Sequence, residues 1–194
     1  EIEILKENFS SDSIMKQRGN AIALMDDLVI KNLEPCYIQR GDTAFEEADK
    51  VFNTVFQKDY GAERSIHTDD CIALRCFGKI IAVAVIEPLI EKKSLPDICL
   101  DYDSNKKTEK DIARNKAQIC IQEFSDRIVE LGSFSVLEQF RLKGGASRAL
   151  LQYALHVIQE YKIDGKPLLY FIAVANKIML QMAKEMNIPI EYES

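Results

Sequence analysis

The chain has 194 residues and a net charge of −6, with 47% apolar and 29% charged residues, a balance that suits one globular core and hardly two full domains. The acidic total disfavours diffuse binding to nucleic acid or anionic lipid, and apolar runs such as Ile80–Ile86 are far too short to cross a bilayer. A cytoplasmic protein with no nucleic-acid partner and no membrane insertion is expected.

In chain order, Asp12 to Leu33 has helical apolar spacing, with Ile14, Ala21, Leu24, Leu28 and Val29 on one side. Residues 1–34 are therefore expected to form a helical arm, ended by Pro35, that packs on the core or on a second copy in a homodimer. Residues 35–194 are expected to form the main domain. Cys36–Arg40 reads as a strand and Gly41-Asp42 as a turn. Thr43 and Glu46 have capping-box spacing, ahead of a helix with Phe45, Ala48, Phe52, Val55 and Phe56 on one face and Gly61 at its end. A polar loop with His67 follows. Cys71–Phe77 and Ile80–Glu87 read as a hairpin turning at Gly78-Lys79.

Residues 91–110 are charged and irregular, and 111–123 have helix-forming residues. Ile128–Val136 reads as a strand in which Gly132 marks a bulge or a close backbone approach. Ser147–Tyr161 is the clearest helix, with Leu150, Leu151, Ala154, Leu155 and Ile158 inward. Leu168–Val174 reads as a strand buried on both faces, Lys177–Met186 as a helix and Ile188–Tyr192 as a last strand. The order describes a mixed α/β domain.

The five cysteines, Cys36, Cys71, Cys76, Cys99 and Cys120, are odd in number and lack metal-knuckle spacing. Reduced packing thiols are expected, and no metal site. His67 and His156 lie far apart in sequence and suggest no zinc ligation.

The most informative stretch runs from Phe134 through Val136, Arg141, Leu142, Lys143, Gly144, Gly145 and Ala146 to Ser147. A strand enters a glycine-bearing loop that opens a long helix. Helix-start amides lack internal partners and favour anions, and Arg141, Lys143 and Arg148 add positive charge. Neither the dinucleotide Gly-x-Gly-x-x-Gly nor a Gly-Lys-Ser/Thr loop is present.

Arg141-x-x-Gly144-x-Ala146 resembles the Arg/Gln-x-x-Gly-x-Gly/Ala signature of GNAT acyltransferases. That resemblance implies a mixed central sheet flanked by helices. It implies acetyl-CoA or another acyl-CoA held by Phe134, Val136, Arg141, Leu142, Lys143, Gly144, Gly145, Ala146, Ser147 and Asn176. Val136 matches a strand-end residue whose backbone pairs with the pantetheine arm, and Asn176 matches an Asn after the next strand. Val129–Phe134 is similar to the Glu-bearing strand of the acyl-homoserine-lactone synthase and N-acyl amino acid synthase branch, and to the thermostable-hemolysin family. Where that branch reads Glu-x-Ser-Arg, this chain has Glu130-Leu131-Gly132-Ser133. Ala183 stands where many members carry a tyrosine acid.

Acyl transfer to an amine needs a base and oxyanion donors. Glu130 is the candidate base, since burial raises a carboxyl pKa toward the working range. The expected activity is acyl transfer to a small-molecule or peptide amine. An acyl carrier protein as long-chain donor, or a binding module without catalysis, are the alternatives.

Overall fold

A computed structural model describes residues 28–89, 123–141, 145–173 and 177–188. Most of the expected arm, the irregular segment 91–110, the helix 111–122 and nearly all of the last strand lie outside these residues. Five strands form one sheet: β1 (Leu33–Gln39), β2 (Asp70–Cys76), β3 (Lys79–Pro88), β4 (Ile128–Val136) and β7 (Tyr170–Ile172). The first four pair antiparallel in sequence order, and β7 pairs parallel with β4. Helix α1 (Phe45–Tyr60) covers one face; α2 (Gly145–Glu160) and α3 (Lys177–Glu185) cover the other. A small hairpin, β5 (Lys162–Ile163) and β6 (Lys166–Pro167), follows α2.

The layers follow from sequence pattern. Every residue of Ile80–Ile86 in β3 is buried, because helices lie on both sides of this central strand. Ile81, Ala82, Ala84 and Ile86 face α2, whereas Ile80, Val83 and Val85 face α1. Ile81 and Ala82 share a face because a bulge shifts the β2–β3 register there. The α1 face buries Ala48, Val51, Phe52 and Val55, and Gly61 closes α1 in the left-handed conformation at φ 66°.

Four expectations need correction. The Thr43–Glu46 capping box does not form. The N-cap is Ala44 and makes no side-chain bond, which leaves Glu46 one position short of N3. Asp42 serves the preceding turn instead, accepting the Gln39 N–H at 2.8 Å. Pro35 lies inside β1, paired with Leu74; among the described residues β1 has a neighbour on one side only, so the missing N–H is tolerated. The hairpin turns at Phe77-Gly78, with φ 50° and 74°, the two positive values that a two-residue type I′ turn requires. In β7, Phe171 and Ile172 are half-buried, unlike the both-face burial expected of Leu168–Val174.

Candidate active site

Strand β4 carries the site's geometry. Its parallel pairing with β7 among the described residues runs Ile128↔Tyr170, Val129↔Phe171 and Glu130↔Ile172. Immediately beyond, the β3–β4 register slips, from Val85↔Gly132 to Val83↔Ser135. Ser133 is the extra residue: its φ is 55°, and Ser135 Oγ donates to its carbonyl at 3.3 Å. The bulge switches the strand's parity. Leu131 before it and Phe134 and Val136 after it all pack in the α2-side core. Gly132 thus lies inside a bulge, while the left-handed conformation falls on Ser133.

Glu130 pairs with Ile172 of β7 just before the bulge. It is half-buried on the α1 face of the sheet, and its Oε1 lies 3.3 Å from where a Cβ on Gly132 would be. The carboxylate therefore extends over Gly132, toward the bulge. A side chain at position 132 would displace it.

Six residues further along, Val136 is buried and its carbonyl accepts Arg141 Nε at 2.7 Å. The Arg141 fork also holds Asp59 at the end of α1, with Nη2–Oδ2 at 2.6 Å and Nη1–Oδ1 at 3.3 Å. Helix α2 opens with Gly145, Ala146 and Ser147 and has no acidic residue in its first turn, so no carboxylate there offsets the positive end of the dipole. Leu142, Lys143, Gly144 and Asn176 lie outside the described residues. Gly145 is not open to solvent on its Cβ side: Ile30 Cδ1 and Cγ1 lie 3.1 Å from where a Cβ would be. Packing with the segment before β1 accounts for this glycine.

The surrounding cations are paired. Lys58 binds Glu138 and Arg148 binds Glu185. Lys58 holds the Glu138 carboxyl below its ordinary range; Gln181, followed by Arg148, does so for Glu185.

Two residues enter the site that sequence reasoning did not assign to it. Glu87 lies directly opposite Glu130 across β3 and β4, and His67 Nε2 is 3.4 Å from Glu87 Oε2. Only the strand register brings these carboxylates together, and a single sequence does not print that register. Other candidates are structural. Cys71 is buried and free, and burial pushes its thiol up to about 12, which removes it as a nucleophile at neutral pH. His156 is exposed on α2 and stacks loosely near Tyr153. Ala183 is half-buried on α3 and its carbonyl accepts the Ile188 N–H. Among the described residues, no group of His, Cys, Asp or Glu could hold a metal ion, and no helix is long and apolar enough to cross a membrane.

No protein-family profile and no curated protein sequence matches the chain. Solved structures do. The AHL synthase LasI superposes with a TM-score of 0.51 at 13% identity, covering 79% of this chain and 77% of LasI. Mosquito arylalkylamine N-acetyltransferase like 5b gives 0.50 at 12% identity, covering 79% and 82%. The chain has the GNAT fold: a mixed sheet flanked by helices, with a bulged β4 that leads into the loop before α2.

Proposed function

We propose that the protein is an N-acyltransferase that moves an acyl group from coenzyme A to an amine, with Glu130 as the base. The observation that carries this reading is the Glu130 carboxylate lying over Gly132 at the β4 bulge, on the strand that leads to the α2 N-terminus. A fold hosts many chemistries, so the site must bear the argument.

The residues suit an extended, anionic thioester. The amides of Gly145, Ala146 and Ser147 open a 16-residue helix with no first-turn acid, a natural seat for a pyrophosphate. Lys143 and Gly144 complete the signature on that loop, and Asn176 follows β7. Three N–H groups of Arg141 are engaged by Asp59 and Val136, which leaves two of its five for an anion. Phe134 and Val136 flank the strand end where the pantetheine arm would lie. The bound donor supplies an activated acyl carbon and a thiol leaving group. Glu130 takes the proton from the incoming ammonium, leaving the nitrogen lone pair free to attack. Its carboxylate extends over Gly132, which puts the base beside the bulge of β4.

Binding is tested by calorimetric titration with acetyl-CoA and a long-chain acyl-CoA; turnover is read as thiol release with a panel of primary amines. Arg141→Ala is expected to weaken acetyl-CoA binding by about tenfold, the loss of one charge-assisted contact, and to spare a bare pantetheine fragment. Equal loss for both would contradict the phosphate role. Glu130→Gln is expected to lower turnover by about 10²–10⁴-fold with binding retained. Binding without thiol release from any amine favours a binding module, the reading that Ala183 supports by offering no hydroxyl acid. Failure of both coenzyme A esters to bind points to an acyl-carrier-protein donor.

A further inference from the structure

The loop between α1 and β2 has no regular structure, yet it is closely held. Ile66 is buried against α1, and its N–H donates to Asp49 Oδ1 at 2.6 Å. Arg64 N–H donates to Asn53 Oδ1 at 3.0 Å. The Arg40 guanidinium bonds the carbonyls of Ile66 at 3.2 Å and Thr68 at 3.0 Å, and Asp69 Oδ1 at 2.8 Å. Thr68 is buried as well. Both neighbours of His67 are thus fixed, and the residue between them projects to Glu87.

His67 has one side in water and the other on the sheet. Its side chain is 56% exposed, whereas that of Glu87 is 14% exposed. Glu87 and Glu130 are in-register partners of an antiparallel pair, so their Cβ atoms stand about 4.5–5.5 Å apart on one face. Like charges so placed repel, which favours passing on a proton that either one takes up. The charged groups around His67 among the described residues are Glu87, Glu130 beyond it, and the Arg40–Asp69 pair. A carboxylate that takes a proton from each ammonium must also lose it each cycle. Histidine exchanges protons with water near neutral pH.

We propose that His67, acting through Glu87, is a positioning and proton-relay residue for Glu130. The proton taken by a Glu130 oxygen passes by way of Glu87 to His67 Nε2 and leaves to solvent, which regenerates the carboxylate. The inference rests on the reading of Glu130 as base, so its test has one arm that needs no turnover.

The chain has two histidines, His67 and His156, so the ring-proton signals of the whole protein can be followed by NMR and assigned with one variant. Glu87→Gln is expected to move the His67 ring-proton signals, and Glu130→Gln to move them less, as befits a contacting carboxylate and a more distant one. His156 serves as the internal control. Unmoved His67 signals in Glu87→Gln overturn the relay, even if Glu130→Gln is inactive. In the turnover arm, acetyl-CoA and the best amine of the panel are the probes. His67→Ala is expected to lower kcat by about tenfold, well short of the loss of the base itself. It should leave the KM for acetyl-CoA unchanged and respond to added imidazole. A structural role would give no imidazole rescue, and that result overturns the relay. A fully active Glu130→Gln overturns the reading of the base and the relay with it, whatever the NMR arm shows.

Discussion

At residue scale, Gly132 is the position where absence of a side chain matters most to the proposed chemistry. A methyl there meets Glu130 Oε1 at 3.3 Å, the far end of a flexible chain. Gly132→Ala is therefore expected to cost little stability but to turn the carboxylate away. A displacement of about 1 Å at a reacting group can cost up to about 10²-fold. Thermal melting measured beside kcat checks this: turnover should fall while the midpoint holds. A large fall in both would show that Gly132 matters to the strand rather than to the carboxylate. The glycine was legible in the sequence as a mark of irregularity. Its partner was not, because which side chain lies over a glycine depends on where the bulge falls. Here the bulge falls on Ser133, a residue type with no preference for it.

At element scale, the start of α2 meets the segment that precedes β1. Ile30 fills the space above Gly145, while Val29 and Leu33 pack into the α2-side core. Overfilling a packed contact costs about 1–3 kcal/mol. Gly145→Ala is expected to fall at the low end, because Ile30 is itself half-exposed and can give. Ile30→Ala should remove the conflict, so the double variant should be more stable than the sum of the singles predicts. Chemical denaturation of the four proteins in the cycle measures this directly, and strict additivity would contradict the contact. Elements α1, β3 and α2 were readable from periodicity, since each buries one helical face or a continuous apolar run. Glu87 was readable only as a strand residue. Its role depends on lying across from Glu130, and register between strands 43 positions apart is set by the whole sheet.

At the scale of the whole molecule, ion pairs tie the layers together. Arg141 joins the strand-to-helix loop to Asp59 on α1. Lys58 and Glu138 repeat that link, and Arg148 and Glu185 join α2 to α3. Asp126 before β4 pairs with Lys166 on β6. The carboxyls of Glu138, Glu185 and Asp126 sit below their ordinary range. Their stabilisation is present above the unfolded carboxyl pKa, about 4, and is lost as pH falls through the lower folded values. The melting midpoint is expected to drop between about pH 5 and 2, and the drop should be smaller in Glu138→Gln. Added salt should narrow the difference, because these pairs are exposed. Equal acid sensitivity of the two proteins would remove Glu138 from the account. None of these pairs was visible in the sequence, since their partners lie 37 to 82 residues apart; the cations of the loop were legible, their partners were not.

Pro35 has a consequence for how copies of this protein behave in concentrated solution. A sheet edge is a template on which another strand can add. Among the described residues, β1 is such an edge. A docking strand would find no donor at Pro35 and an exposed charge at Glu34. Pro35→Val restores the donor and a strand-forming side chain. It is expected to fold normally and to scatter light sooner on storage at high concentration than the unaltered protein. Unchanged colloidal lifetime would mean that another part of the chain already shields this edge. Earlier scattering would make the proline that reads in the sequence as a full stop a guard, in the fold, against growth of the sheet from one molecule to the next.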